Sequence, residues 1–423
     1  MSIARATSTM GSISGNGIIN VRDKGVKGDG IMDDTAAINA LITRVSTAGG
    51  GILFFPAGTY LVSASYLTSG NGANKQGIQL ASNIHILGAG KNATGFKLAN
   101  SPAGVTVTYV SPGVFTTNGT FSPVFNGVSV SNVIIEGLSI DGNQANQANF
   151  FTSAYQNPSY GSTLTCPGIQ FINGSGNLVR DCDIHHCQGY GVDFLDCQDS
   201  SVINSILRTN GNGGGGCHTL TGGQNSTGSG YFDCTAYDNY SDNFRLEARG
   251  GIVQGCHSRN TRGDTAGNNN YAGIYVESTG FYNRICNNIC HDNSAFGIDV
   301  NGPYTVISGN SVYQNSNGGI QIGAGGGDHN IITGNNVRDN GQSSTGNQDA
   351  KFYNPFGICP NGGNNNISGN IITNTLGHQT WGIGNYTGSI SHTLMIGNTI
   401  LGHTGGPIQT IDGTCLSANN LTA

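Results

Sequence analysis

The chain contains few charged residues, which make up 9% of its 423 positions, and its formal net charge is −6. With no excess of Lys and Arg, a basic stripe is not expected, so the composition argues against a nucleic-acid partner. No apolar run approaches the roughly 18 residues of a membrane-spanning helix, so no membrane partner is expected. Residues 1–19 contain one arginine and no apolar segment, so they do not read as a Sec signal.

The chain also lacks the cysteine spacings that mark metal sites or redox motifs. Its 11 cysteines include no Cys-x-x-Cys pair and no His/Cys spacing of the zinc type. An odd number spread along the chain predicts reduced, mostly buried thiols, with Cys182, Cys234 and Cys256 inside the core. No cofactor and no metal site are expected. Asp193 and Asp299 in particular would lie four strands apart, about 19 Å, which is too far to share a metal ion.

What the chain does have is glycine, 69 residues of it, and a repeated phrase of glycine or asparagine followed by alternating apolar residues. Successive restarts are mostly 22 to 30 residues apart, with one interval of 38. A period of this length indicates a solenoid, and the alternation within each unit indicates strands. The phrase begins at Gly168, Gly191, Gly216, Asn243, Gly273, Gly297, Gly319 and Gly357.

A second phrase, of the type Ile-Ser-Gly-Asn-Ser-Val, lies between these restarts. Aligned on its trailing apolar residue, it places an asparagine or a cysteine in one column. An asparagine stacked on itself in every coil can bond its amide to the coils above and below. The predicted column consists of Cys182, Asn204, Cys234, Cys256, Asn288, Asn310, Asn335, Asn370 and Asn398.

These repeats predict an all-β fold, a parallel solenoid of about ten coils. We expect an N-terminal extension over residues 1–19 and a single domain over 20–423. A helix over residues 34–45, capped by Asp33 or Asp34 and apolar at Ala37, Leu41 and Val45, is expected to cover the open end of the coils. The glycine-rich segment at 49–51 precedes a strand and lacks Gly-Lys-Ser/Thr, so it is not a phosphate loop.

Two N-terminal segments carry a family resemblance. They read VRDKGVKGDGIMDDTAAI from Val21 and GGGILFFPAGTYLVS from Gly49. Together with the repeats, they resemble the pectate-lyase-like superfamily of right-handed parallel β-helices. That group includes polygalacturonase-like hydrolases, the catalytic module of mannuronan C5-epimerases and phage tailspike depolymerases. The resemblance implies a right-handed β-helix acting on a polysaccharide, and hence an extracellular or virion-associated location. It does not select one reaction or one oligomeric state, so a monomer and a homotrimer both remain open.

One outward face of the predicted coils collects ionisable residues. After each restart glycine, the second and fourth residues should point inward and the third and fifth outward. For a chain so poor in charge, their concentration in successive coils predicts a functional groove. The alternative is a solvated face with ion-pair ladders. The predicted groove residues are Asp193, His218, Arg245, Glu247, Tyr275, Glu277, Asp299 and Gln321.

Three chemistries fit this groove. Hydrolysis needs two carboxyl groups about 5 to 9.5 Å apart, and Glu247, Glu277 and Asp299, with Asp193, supply candidates. Elimination or epimerisation of a uronate needs a cation, a base and an acid, for which Arg245, His218 and Tyr275 are candidates. Non-catalytic glycan binding, as in an adhesin or a tailspike-type receptor-binding protein, is the third. Chain cleavage of an acidic polysaccharide is favoured.

Three further observations bear on substrate and reaction. The epimerase module carries Tyr-Gly-Phe-Asp-Pro-His at the coil where this chain has Tyr190, Asp193 and Leu195, so the proton-transferring histidine is replaced by leucine. The Asp, Gly-His-Gly and Arg-Ile-Lys series of polygalacturonases is matched only in part. Tyr190 and Trp381 are candidate sugar-binding residues, whereas His185, His186 and His257 are interpreted as surface or turn residues.

Overall fold

The computed structural model describes residues 17–63, 77–100, 107–111, 114–117, 123–147, 167–211, 213–218, 226–262, 271–323, 327–341, 356–386, 390–409 and 411–422. They group into two compact units, Met1–Gly211 and Asn212–Ala423. No helix among these residues combines the length and apolar character that a membrane span requires.

Among its described residues, the N-terminal unit contains one α-helix, α1 (Thr35–Thr47), and two 3-10 turns, Val21–Lys24 and Gln144–Asn146. Its strands are β1 (Ile19–Asn20), β2 (Asp29–Asp33), β3 (Gly51–Phe55), β4 (Gly58–Val62), β5 (Ile78–Gln79), β6 (Ile84–Gly88), β7 (Thr94–Leu98), β8 (Val107–Ser111), β9 (Val114–Thr117), β10 (Phe125–Val128), β11 (Ile134–Glu136), β12 (Ser139–Asp141), β13 (Ile169–Ile172), β14 (Leu178–Arg180), β15 (Asp183–His185), β16 (Tyr190–Leu195), β17 (Ser201–Ile203) and β18 (Ile206–Arg208).

The C-terminal unit consists of short strands. They are β19 (Gly213–His218), β20 (Gly230–Phe232), β21 (Thr235–Tyr237), β22 (Phe244–Leu246), β23 (Ile252–Gln254), β24 (His257–Arg259), β25 (Ile274–Val276), β26 (Arg284–Cys286), β27 (Ile289–His291), β28 (Phe296–Val300), β29 (Val306–Ser308), β30 (Ser311–Tyr313), β31 (Gly318–Ile322), β32 (Ile331–Thr333), β33 (Asn336–Arg338), β34 (Phe356–Pro360), β35 (Asn366–Ser368), β36 (Ile371–Thr373), β37 (Trp381–Ile383), β38 (Leu394–Ile396), β39 (Thr399–Leu401), β40 (Gly406–Ile408), β41 (Leu416–Ala418) and β42 (Leu421–Thr422).

Each coil contributes one strand to each of three parallel sheets. In the C-terminal unit, sheet 1 runs β20-β23-β26-β29-β32-β35-β38-β41 and sheet 2 runs β21-β24-β27-β30-β33-β36-β39-β42. Sheet 3 runs β19-β22-β25-β28-β31-β34-β37-β40. The N-terminal unit has the same arrangement, with β1-β3-β6-β11-β14-β17 in sheet 1, β2-β4-β7-β12-β15-β18 in sheet 2 and β5-β10-β13-β16 in sheet 3. This is the parallel β-helix that the repeats predicted, with β8 and β9 forming a separate antiparallel hairpin.

The helix α1 begins one residue later than predicted, at Thr35, and extends two residues further. Its buried residues Ile38, Leu41, Ile42 and Val45 face the neighbouring strands β3, β5 and β6. Asp34 occupies the N-cap position, yet its carboxylate accepts the N–H groups of Lys27 and Gly28 instead, at 2.6 and 2.9 Å. The first helical N–H, that of Thr35, donates to Asp33 Oδ1 at 2.9 Å. Asp34 therefore stabilises the preceding turn, and Asp33 caps the start of the helix.

The bend between sheet 1 and sheet 2 takes only two residues. The first has a positive φ, as at Gly309 (66°), a conformation that glycine, asparagine and aspartate tolerate best. The second points into the coil and is the residue of the predicted column. Asn204 has a φ of 49°, so it is the first residue of its bend, and Ser205 takes the inward place by accepting the Cys182 N–H at 3.2 Å. The prediction that Asn204 belongs to the column was wrong by one position.

The asparagine column continues through six coils of the C-terminal unit. Each Nδ2 donates to the Oδ1 of the next asparagine: Asn288 to Asn310 at 3.0 Å, Asn310 to Asn335 at 2.9 Å and Asn335 to Asn370 at 3.0 Å. The column continues to Asn398 and Asn420, both at 2.9 Å. Each amide also bonds backbone groups; Asn335, for example, donates to Ile307 O and accepts from Asn310 N. The amides of this column thereby satisfy backbone groups buried at the bend.

The cysteines that precede this column have the predicted environment. Cys182, Cys234 and Cys256 are buried, and all nine cysteines whose side chains the structure describes are free thiols. The Cys234 N–H points to Cys256 Sγ at 3.4 Å, in the place that an asparagine Oδ1 takes in later coils. Burial raises the pKa of the Cys182 thiol to about 12, so this thiol is protonated at neutral pH.

Replacing Asn335 by Ala should lower the free energy of unfolding by about 1–3 kcal/mol, because buried donors and acceptors in two neighbouring coils lose their partner. Asn336→Ala is the matched control, since Asn336 is the next residue and is exposed. Chemical denaturation of both variants measures the difference. Equal stability of the two variants would contradict a structural role for the column.

Candidate active site

The outward-facing residues of sheet 3 in the C-terminal unit form two adjacent columns. In the first, Arg245 pairs with Tyr275, Tyr275 with Asp299 and Asp299 with Gln321. The alternate residues on these strands, such as Ile274 and Val276, are fully buried. The predicted inward and outward alternation is therefore present from β22 to β31.

The second column lies two residues further along each strand and contains Glu247, Glu277 and Asn301. The Glu277 N–H donates to Leu246 O at 2.9 Å, and the Asn301 N–H donates to Val276 O at 2.8 Å. The backbone hydrogen bonds of sheet 3 therefore continue one residue past the ends of β25 and β28, and they hold the second column beside the first. Charged and amide side chains of three successive coils face the same side.

Arg245 is the centre of an ion-pair network between the two columns. It is only 8% exposed, so its charge needs partners within the protein. Its Nε donates to Glu247 Oε1 at 3.2 Å, and its guanidinium also forms an ion pair with Glu277. The guanidinium carbon lies 5.3 Å from the centre of the Tyr275 ring. Arg245 therefore fixes the positions of two carboxylates.

Tyr275 connects this network to the next coil. Its hydroxyl donates to Glu277 Oε2 at 3.1 Å and accepts from Asn301 Nδ2 at 3.3 Å. Its ring packs with Phe296, which lies beside Ala272 and Ala295. Burial, together with the charges of Glu277 and Asp299, raises the pKa of the Tyr275 hydroxyl above its ordinary value. This tyrosine therefore acts as a hydrogen-bond donor and not as a phenolate.

Asp299 lies at the end of a short chain of amide and hydroxyl groups. Gln321 Nε2 donates to Asp299 Oδ1 at 3.2 Å, and the Tyr386 hydroxyl donates to Gln321 Oε1 at 3.1 Å. Burial raises the pKa of Asp299 to about 7, and the Asp242 and Glu277 carboxyls act in the same direction, against the Gln321 hydrogen bond. At neutral pH this carboxyl is therefore divided between its acid and its carboxylate form.

Asp242 is a second aspartate that the sequence did not single out. It precedes β22, is 4% exposed and accepts the Ala272 N–H at 2.7 Å. Burial raises its pKa to about 7, and Glu277 adds to this, whereas Arg245 and the Ala272 N–H oppose it. In the sequence, Asp242 could have been recognised as an acidic residue directly before a restart phrase. The alternation of inward and outward residues did not predict it, because Asp242 lies outside the strand.

His218 lies at a different register position on its strand from the one that the repeat predicted. The pairing of β19 with β22 sets Gly216 opposite Arg245 and Cys217 opposite Leu246. His218 follows Cys217, so along its strand it is level with Glu247, two residues beyond Arg245, where the repeat placed it. The extra glycines at 213–216 obscured where this phrase begins.

Two predicted site residues belong to the N-terminal unit and are buried there. Tyr190 is 2% exposed, and Asp193 is fully buried, where Gln170 Nε2 donates to its Oδ2 at 3.0 Å. The register of Gln170 opposite Asp193 is as predicted. Leu195, at the place of the epimerase histidine, is also buried and lies opposite Ile172. In their own unit, these residues form no exposed acid/base group.

Trp381 lies apart from the Arg245 network. It is on β37, four strand spacings from Tyr275 in sheet 3, or about 19 Å. Its ring packs over the backbone of Gly405 and Gly406, where a β-carbon would approach within 3.0 Å of the ring. This tryptophan therefore fills the last coils. Tyr386, in the loop that follows β37, donates its hydroxyl hydrogen bond to Gln321.

Two family models match this chain. A family model described as rhamnogalacturonase A/epimerase, pectate lyase-like, matches residues 18–240, more than half of the chain. The chain belongs to this pectate lyase-like family. A second model, described as a right handed beta helix region, matches residues 168–337. The resemblance and the right-handed parallel β-helix predicted from the sequence are both confirmed.

The chain is similar to proteins of Azotobacter vinelandii. Mannuronan C5-epimerase AlgE2 of that organism is 28% identical over 312 residues, covering 72% of this chain and 25% of the relative. The chain therefore spans about a quarter of the length of this curated relative.

Two solved structures share the fold. The AlgE4 epimerase A-module has a TM-score of 0.70 at 18% identity, covering 94% of this chain and 99% of that chain. An exopolygalacturonase from Thermotoga maritima has a TM-score of 0.55 at 15% identity, covering 96% of this chain and 92% of that chain. At these identities the likeness concerns the fold alone.

Asp299→Asn should stabilise the protein at pH 8 relative to the wild type. A carboxyl with a raised folded pKa contributes most to stability below its unfolded pKa, near 4, and this contribution is lost as the pH rises through about 7. The amide carries no charge, so the difference between variant and wild type should grow from pH 4 to pH 8. Thermal denaturation across this range tests the sign. Asp199→Asn, at an exposed position, is the control, and a difference independent of pH would contradict the assignment.

Proposed function

We propose that this protein hydrolyses glycosidic bonds of a polysaccharide in the sheet 3 groove of its C-terminal unit. The observation that carries the proposal is a pair of carboxyls in different environments. Glu277 is ion-paired to Arg245 and bonded by Tyr275, contacts that a carboxylate makes, whereas the pKa of Asp299 is raised to about 7. Glycoside hydrolysis uses one protonated and one ionised carboxyl in this way.

The two carboxyls have distinct proposed roles. Asp299 donates a proton to the leaving-group oxygen as the general acid, and Glu277 activates a water molecule as the general base. They lie on a diagonal of adjacent coils, for which strand geometry gives a backbone separation of about 8 Å. In inverting enzymes the two carboxyl groups themselves are roughly 6.5 to 9.5 Å apart, which leaves room for the water. Arg245 and Tyr275 hold Glu277 in position.

The surroundings of Arg245 bear on the choice of substrate. The sequence favoured an acidic polysaccharide whose carboxylates Arg245 would hold. Arg245 instead lies between Glu247 and Glu277, and Asp242 and Asp299 add further acidic groups nearby. A uronate would have to displace one glutamate from this guanidinium. This arrangement favours a neutral sugar unit beside Tyr275.

Elimination or C5-epimerisation of a uronate is the second candidate. The similarity to mannuronan C5-epimerase AlgE2 favours it, and His218, Tyr275 and Arg245 would be base, acid and cation. The contacts of Arg245 and the raised pKa of Tyr275 weigh against this candidate, as does the leucine at position 195. A third candidate is a protein that binds a glycan without catalysing a reaction.

A panel of neutral and uronate-containing polysaccharides distinguishes these reactions. Hydrolysis releases reducing ends without ultraviolet absorbance, elimination produces an absorbing unsaturated product, and epimerisation changes only the NMR spectrum. On a substrate that is cleaved, Glu277→Gln and Asp299→Asn should each lower kcat by about a hundredfold or more, the usual loss of a general acid or base. Asp199→Asn should retain wild-type kcat, with folding checked by circular dichroism. Full activity of both groove variants would exclude this site.

The pH profile gives an independent prediction. Because Asp299 must be protonated to act as the acid, kcat should fall as the pH rises above about 7. Measuring kcat of the wild type and of Gln321→Glu from pH 4 to 9 tests this role. A second carboxylate beside Asp299 should raise its pKa further and shift the alkaline limb upward. An unchanged alkaline limb in the variant would contradict the assignment of the acid.

A further inference from the structure

A group of metal-ligand side chains lies on sheet 2 of the N-terminal unit, in coils outside the candidate active site. Asp141 on β12 and His185 on β15 are partners in the parallel ladder, so they occupy the same face in successive coils. His186 follows directly and has a positive φ of 53°. One potential ligand atom from each of the three residues lies within 4.8 Å of the other two.

The two histidines present the same ring nitrogen to each other. His185 Nδ1 and His186 Nδ1 are 2.7 Å apart, and the ring planes are nearly perpendicular, at 88°. Two neutral imidazoles at this distance share one proton, so at least one Nδ1 carries a lone pair directed at the other. If that proton moves to Nε2 of its own ring, both Nδ1 lone pairs become available to one ion. Asp141 Oδ1 lies 3.9 Å from His185 Nδ1 and completes the group.

We propose that Asp141, His185 and His186 bind one divalent transition-metal ion, with water completing the coordination. Two imidazole nitrogens and one carboxylate oxygen suit zinc, nickel or copper, whereas calcium and magnesium prefer all-oxygen sites. None of the three residues is fully buried, so the ion can reach the site from solvent. Strand pairing fixes two of the ligands before any metal binds.

The surrounding charges are balanced, which makes a cation acceptable there. Lys97 Nζ lies 3.8 Å from Asp141 Oδ2, on the side of the carboxylate away from the Oδ1 contact with His185. Arg208, the ladder partner of His185, donates two hydrogen bonds at 3.0 Å to Asp183. The positive charges of Lys97 and Arg208 are therefore offset by Asp141 and Asp183.

A second histidine pair in the C-terminal unit serves as a comparison. His257 Nε2 and His291 Nε2 are also 2.7 Å apart. Asp292 contacts the other nitrogen of His291, Nδ1, at 2.6 Å. Its carboxylate therefore does not converge with the two Nε2 atoms. Close approach of two imidazoles thus occurs in both pairs, but convergence with a carboxylate occurs only at His185 and His186.

Binding would join two coils whose ligands are 44 positions apart in the sequence. Because these ligands converge only in the folded ladder, the ion binds the folded chain in preference to the unfolded one and should raise the stability of the folded protein. No spacing in the sequence predicts this group, because Asp141 becomes a neighbour of His185 only through the ladder.

Isothermal titration of the metal-free full chain with Zn²⁺ tests the proposal. We expect one equivalent to bind and Tm to rise. His186→Asn keeps a residue that tolerates positive φ, and Asp141→Asn keeps the oxygen that accepts the Asn143 N–H. Each should weaken Zn²⁺ binding by more than about tenfold, the lower end of what removing even an outer-shell partner costs. Both variants should also lose the Zn²⁺-dependent rise in Tm.

The control variants are His257→Asn, at the comparison pair, and the exposed Asp199→Asn, both of which should bind Zn²⁺ like the wild type. Co²⁺ provides a spectroscopic check, since the proposed site should give no thiolate-to-metal charge-transfer band. Wild-type affinity in both His186→Asn and Asp141→Asn would overturn the proposal. So would a thiolate band, loss of binding in His257→Asn, or no binding by the wild type.

Discussion

The hydrogen bond between stacked asparagine amides at the tight bend from sheet 1 to sheet 2 is the constraint on which the C-terminal coils depend. Two residues carry the chain from sheet 1 to sheet 2 there, and the side chain of the second points into the coil, among buried backbone groups. An amide can donate twice and accept twice, so one asparagine per coil satisfies its own bend and its neighbours on both sides. Because each amide needs the next one at strand spacing, the column also fixes the register of successive coils.

A fixed register has a chemical result on the opposite side of the coil. With Ile274 and Val276 locked inward, Tyr275 and Glu277 have to face outward, and the next coil has to bring Asp299 beside Tyr275. The burial of Asp299 and its closeness to other carboxyls, which together raise its pKa, are then imposed by the scaffold and maintained by core packing. The same logic places Asp141 against His185 in the N-terminal unit. In both places, residues far apart in sequence become neighbours through the ladder alone.

The sequence was informative wherever a periodic pattern carried the information. It predicted the parallel coils, the buried thiols, the asparagine column and the outward set from Arg245 to Gln321. It failed where position depended on backbone conformation within a turn, as at Asn204, or on the start of a strand among several glycines, as at His218. It also missed contacts that no spacing encodes, including Asp242 against the Ala272 N–H and Asp34 against the Lys27–Gly28 turn. Each of these depends on which loop residue meets which strand.

The division of the site among successive coils has a consequence for how such proteins diversify. Residues 297–318 make one complete coil, with its own outward residue, its own bend and its own asparagine. Recombination that removed or duplicated such a unit would leave the core pattern intact, since the coils of the asparagine column offer their neighbours the same apolar and amide surfaces. It would, however, exchange the residue that faces Tyr275. Natural variation in this architecture can therefore proceed by the shuffling of whole coils, which changes reactive partners in one step while leaving the fold unaltered.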